Sequence, residues 1–155
     1  MSSPSGRIRR LVRIEALIQR KLDREAAALA AAQEQLRNTQ AAIETLTTRV
    51  LDARQQGHNR LIKGADAEQW KLEHDWQQSL GAELQGMQRQ LVVRRETVDS
   101  ARARVLVAHE DMQKMETLLK RLRSSQRTED NRQQRKVEDD AYAALAATAR
   151  KSEEV

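Results

Sequence analysis

The residues able to do chemistry in this chain are charged, and they are spread along it rather than gathered. Its 155 residues hold 28 Lys and Arg, 23 Asp and Glu and three His. His58, His74 and His109 stand at no spacing that would hold a metal. Cysteine is absent, which removes thiolate nucleophiles, soft metal ligands and disulfides. No glycine-rich loop is present to cradle a phosphate. Carboxylates are plentiful, but acid–base work needs a carboxyl whose pKa an enclosed site has moved. The expectation is therefore no catalytic residue, no metal, no cofactor and no small-molecule substrate. What remains is recognition of other macromolecules by charge and apolar surface.

Two groups of residues suit that role. Arg7, Arg9, Arg10 and Arg13 are interleaved with Ile8, Leu11, Val12 and Ile14. That is more apolar surface than one packing seam needs, so this stretch contacts something besides its helical partner, or simply closes the end of a bundle. The second group is the pair of tryptophans. Trp70 reads as a core residue, because it falls on a seam. Trp76 falls off it, and an exposed Trp is a common anchor for a partner. Its plainer reading is a ring laid over Leu61 and Ile62.

The elements that carry these residues are two long helices. Aromatics make up 2% of the chain and charged residues 33%, with one Pro, five Gly and no Phe, which is the composition of long helices rather than of a compact core. Every seventh residue from Ile8 gives Glu15, Leu22, Leu29, Leu36, Ile43 and Val50. Three further on come Leu11, Ile18, Glu25, Ala32, Thr39, Leu46 and Ala53. Only Glu15, Glu25 and Thr39 interrupt this coiled-coil pattern. Gly57 and Gly64 bracket a stretch without a seam, and Gly57 reads as the left-handed cap that ends helix one. Asp66-Ala67-Glu68-Gln69 then reads as a capping box opening helix two.

The second seam runs Trp70, Gln77, Leu84, Leu91, Val98, Val105, Met112 and Leu119. Its companion class is Glu73, Leu80, Met87, Arg94, Ala101, Ala108, Met115 and Leu122. A helix over 7–56 is about 75 Å long at ~1.5 Å per residue, and a loop over 57–66 cannot span it, so the helices are antiparallel. The fold class is all-α: a long antiparallel two-helix coiled-coil hairpin, one domain over 1–155. Helix two is expected over 67–148, longer than helix one by some thirty residues, with a polar overhang after 122. Counting back from the loop sets Val50 and Ala53 opposite Trp70 and Glu73, and Ile8 and Leu11 opposite 112–119.

No apolar run approaches the ~18 residues that cross a bilayer, and residues 1–6 lack the apolar core of a secretory signal. The default is a soluble cytoplasmic protein. The net charge of +5 and basic pI admit a nucleic-acid partner. Against that, Lys and Arg alternate with Glu and Asp on both helices, and no aromatic platform or recognition motif accompanies them. A generic coiled-coil adaptor or scaffold is the other reading from the residues alone.

The stretch Arg7-Ile8-Arg9-Arg10-Leu11-Val12-Arg13-Ile14, with Leu17, Lys21, Arg24 and Glu25, resembles the opening of YscO-type proteins of type III secretion. The glycine-containing loop followed by Ala67-Glu68-Gln69-Trp70 is similar to the turn of that family and of its flagellar relative, FliJ. The segment Asn131-Arg132-Gln133-Gln134-Arg135-Lys136-Val137-Glu138-Asp139-Asp140-Ala141 resembles the basic-then-acidic end of both. The start is closer to the virulence branch than to the flagellar one. This resemblance covers essentially the whole chain.

It implies a central stalk, without catalysis, at the cytoplasmic face of the inner-membrane export apparatus. The end holding both termini would enter the pore of the hexameric type III secretion ATPase and promote its activity, through Ile8, Arg9, Arg10, Arg13, Arg132, Arg135 and Lys136. The hairpin end would meet the cytoplasmic domain of the export gate, or secretion chaperones, through Leu46, Arg49, Trp76 and Leu80. Arg49 and Ala53 stand where flagellar relatives carry aromatics.

Overall fold

The computed structural model of the protein describes residues 4–154. It is all-α: α1 spans Pro4–Ile62 and α2 spans Ala67–Glu153, joined by a turn over 63–66. The two run antiparallel as a coiled-coil hairpin with α2 the longer, the fold class its heptads specify. Pro4 opens α1, at a position where its missing N–H has no helical partner to lose. The chain packs as two compact units.

One unit is Leu22–Val107, which contains the loop. Leu46, Val50, Ala53 and Leu80 form one buried cluster there, with Leu84 and Met87 packed against it. Ala32, Val98 and Ala101 form another, covered by Leu29 and Leu36. The polar interruptions Glu25, Glu73, Gln77 and Arg94 are answered across the seam. Glu25 accepts from Arg104 Nε at 3.1 Å, Arg94 Nη1 donates to Gln35 Oε1 at 2.8 Å, and Glu73 accepts from Arg60 Nη1 at 2.7 Å. Gln77 Nε2 donates to the Ala53 carbonyl at 3.4 Å, and buried Thr39 turns its hydroxyl onto the Gln35 carbonyl at 3.0 Å.

The other unit comprises the segments up to Lys21 and from Ala108 onward. Ala108, Met112 and Leu119 are buried in it, and Leu119 retains only 1% exposure. Glu15 lies in a groove with Leu119 and Arg123, and Ser5 and Arg7 share another with Leu122, Ser125 and Gln126. From Arg127 onward every described residue of α2 is exposed.

Three expectations are corrected near the loop. Helix one ends at Ile62 rather than near 56, because Gly57 is helical. The absence of a side chain at Gly57 serves packing: a Cβ would sit 2.5 Å from Gln77 Nε2 and 2.9 Å from Glu73 Oε1. Gly64, at φ +85°, makes the left-handed stop instead, and its N–H bonds the Leu61 carbonyl. Second, the shorter turn moves the pairing by one heptad. Val50 and Ala53 meet Leu80 and Gln77 rather than Trp70 and Glu73, and at the start of α1 Ser5 and Arg7 lie beside Leu122, Ser125 and Gln126. Third, Trp70 is 52% exposed and stacks on His74 instead of entering the core.

Helix two starts where the sequence places it and runs to Glu153 rather than 148. Asp66 Oδ1 accepts from the Gln69 amide at 2.8 Å, satisfying one of the first-turn donors. Asp66→Ala is expected to lower stability by about 1 kcal/mol, read as a lower urea midpoint in far-UV circular dichroism. Because the cap bond touches neither buried cluster, the unfolding slope stays the same.

Candidate functional site: two exposed surfaces

Among the described residues no group of His, Asp and Glu is placed to hold a metal ion, and no helix is long and apolar enough to cross a membrane. The surfaces available for recognition are accordingly the exposed faces of the two helices.

The first lies in the unit that contains both ends of the chain. Arg9, Arg10 and Arg13 are exposed, while Ile8 is half-buried. Alternation at helical spacing explains the difference: Ile8 is a seam residue, and the arginines occupy the outer positions around it. Val12 and Ile14 are about two-fifths exposed and Leu17 more so, which leaves apolar surface among the cations. Leu17 belongs with this surface, one turn beyond Arg13 and Ile14.

Arg132, Arg135 and Lys136 are exposed on α2, in the stretch from Arg127 onward whose described residues are all exposed. They line a shallow groove of α2 with Thr128, Asn131 and Asp139. Arg132 lies 3.9 Å from Glu129, one turn back, an exposed pair that leaves the guanidinium open to other anions. Farther along, Val137, Tyr142 and Leu145 are all about two-thirds or more exposed.

The second surface lies beside the loop, in the Leu22–Val107 unit. A groove of about 610 Å³ is lined by Leu61, Trp70, Leu72, Trp76, Arg60 and Lys63, among others. Trp76 is 57% exposed and shares this groove with Leu61, while Ile62 is not among its lining residues. Arg49 is exposed as well. Leu46 and Leu80 are not: each is 5% exposed inside the cluster with Val50 and Ala53. Both are heptad seam residues, and closing the hairpin consumes them, so they are not available to a partner. Leu61 and Leu72 take their place as apolar lining. The signal for Leu72 is its heptad position, one residue before the seam class of Glu73. Leu61 is already legible in the sequence as the surface beneath the Trp76 ring.

No match appears among curated proteins, and none among solved structures. A family does match: the flagellar FliJ protein family fits residues 7–152. That span includes the basic opening, both seams, the turn and the exposed tail of α2. With a two-helix hairpin along it, the chain belongs to the FliJ family, the stalk family of flagellar and type III secretion export.

Proposed function

We propose that this chain is the coupling stalk of a type III export apparatus. The unit carrying both ends enters the pore of the hexameric export ATPase. Ile8, Arg9, Arg10 and Arg13 on α1, with Arg132, Arg135 and Lys136 on α2, face the loops of the ring. Charge-assisted hydrogen bonds from exposed guanidiniums to carboxylates and carbonyls suit such a contact, because they hold orientation without a deep pocket. The loop-side groove, through Trp76 with Leu61, Leu72 and exposed Arg49, docks on the cytoplasmic domain of the export gate or on secretion chaperones. The protein thereby works at the cytoplasmic face of the inner membrane. The interleaved basic and apolar opening at 7–14 favours the virulence branch over the flagellar one.

The observation that carries this reading is the family match over 7–152, combined with the exposure of Arg9, Arg10, Arg13, Arg132, Arg135 and Lys136. The direct test is ATP hydrolysis by the cognate export ATPase with increasing amounts of this chain. Stimulation that saturates at a few copies or fewer per hexamer is expected. An active ATPase left unchanged by the folded hairpin would reduce the chain to an adaptor.

A further inference from the structure

Trp70 is left in surroundings that do not suit it. It occupies the seam class that continues through Gln77, Leu84, Leu91 and Val98, yet it is half exposed beside Arg60 and Leu61. Slide α2 by one heptad against α1, and every seam residue still meets a seam residue, because the slide equals the repeat. Ala53 then stands across from Trp70 instead of Gln77, and Val50 across from Glu73 instead of Leu80. In that register Trp70 is a core residue.

Such a slide needs a longer turn, and the sequence holds one. Gly57 and Gly64 are seven residues apart, one heptad. Gly64 makes the present stop with φ +85°. Gly57 holds the same place one heptad earlier and is equally free to take a left-handed conformation. Ending α1 there releases 57–63 into the turn while Asp66 still caps α2. Two stops thus precede one start, spaced by the distance the seam can slip.

Polar residues select the observed register. The Arg60–Glu73, Gln35–Arg94 and Glu25–Arg104 pairs all form in it. One heptad away, Arg94 would face Ala28 and Glu25 would face Thr97, so two charges lose their partners. A single polar residue in a seam fixes coiled-coil register in the same way. These ties are light ones. Arg60 and Arg104 remain more than half exposed, and the Nε of Arg94 is buried with no hydrogen-bond partner.

We propose that the Leu22–Val107 unit is a two-register device. The polar ties hold the register with Gly64 as stop and Trp70 exposed. Releasing them gives a second register, one heptad away, with Gly57 as stop and Trp70 in the core. A partner that covers the loop-side groove, or one that competes for Arg60 or Arg104, therefore chooses between two states rather than meeting a fixed surface.

The absence of native cysteine allows a direct test on the full chain. Ala32→Cys with Val98→Cys reports the observed register, since both residues belong to one buried cluster. Ala32→Cys with Leu91→Cys reports the register one heptad away. In a Trp76→Phe background Trp70 becomes the lone indole. Two changes push toward the second register: Gly64→Ala, which strains the present stop, and Gln35→Leu with Arg94→Leu, which removes the central tie. Each is expected to raise the 32–91 disulfide about tenfold relative to 32–98, the effect of losing one hydrogen bond to a charged group. Trp70 emission should move to the blue, with quenching by acrylamide reduced. The idea fails if the 32–98 disulfide still dominates and Trp70 stays as quenchable as in the parent while circular dichroism shows intact helix. Should Gly64→Ala unfold, the Gln35→Leu and Arg94→Leu pair decides alone, because Arg94→Leu makes the seam more apolar and Gln35 is exposed beside it.

Discussion

Leu80→Asp is expected to destabilise the hairpin by about 3–5 kcal/mol, whereas Trp76→Asp is expected to change stability by less than about 0.5 kcal/mol. The two residues are four apart on one helix, and the family resemblance makes them parts of one docking surface. Their surroundings separate them. Leu80 is packed with Leu46, Val50 and Ala53, so a carboxylate there loses the apolar contacts and takes a charge into a cluster that offers it no partner. Trp76 is more than half exposed, and an aspartate in its place is hydrated. Urea unfolding followed by far-UV circular dichroism gives both numbers. In a partner-binding assay the order reverses in meaning: Trp76→Asp weakens docking of a folded hairpin, and Leu80→Asp weakens it only as far as it unfolds one. Equal, small stability changes for both would place Leu80 on the surface and overturn the observed seam.

Leu80 also marks where sequence pattern stops informing. A heptad repeat fixes which residues face the partner helix, and both seams are read correctly over most of their length: Leu46, Val50, Val98, Ala101, Met112 and Leu119 are all buried. The repeat does not fix which heptad meets which, since sliding by seven residues returns the same pattern. That choice rests on the turn and on polar cross-ties. Gly57 has the marks of a stop because glycine is the usual left-handed cap; its role as space for Glu73 and Gln77 depends on side chains well beyond it in sequence, which no local pattern carries. A stop at Gly64 shifts every pair by one heptad and turns Trp70 out of the core. The polar interruptions Glu25, Glu73, Gln77 and Arg94 are visible as defects, but Arg104 and Gln35 lie off the seam classes, and Arg60, which continues the class of Ala53, falls in the stretch read as loop, so their pairing has to come from three dimensions. On the exposed surfaces charge is more legible than apolar residues. A cluster of arginines on the outer positions of a helix is exposed wherever the register falls. An apolar residue such as Leu46 is available to a partner only if its own hairpin does not take it first.

That asymmetry gives the reversal of two arginines the larger functional effect. Arg10→Glu with Arg13→Glu is expected to abolish stimulation of the cognate export ATPase while leaving the circular dichroism spectrum and the urea midpoint unchanged. Both side chains are exposed on α1, and no core cluster depends on them, so the fold has little to lose. The proposed contact has much to lose. A hydrogen bond to a charged group contributes about 1.5–3 kcal/mol, so two such bonds removed weaken binding by roughly two to four decades. Repulsion between the new carboxylates and the acceptors of the ring adds to that loss. Salt distinguishes the cause: raising ionic strength should weaken the parent's stimulation, because exposed charge pairs are screened, and should do little to what remains in the variant. Arg10→Lys with Arg13→Lys keeps the charge without the planar fork, and partial stimulation is expected from it. Parental stimulation by the glutamate variant, at matched folding and concentration, would remove Arg10 and Arg13 from the pore contact and leave Arg132, Arg135 and Lys136 to carry it.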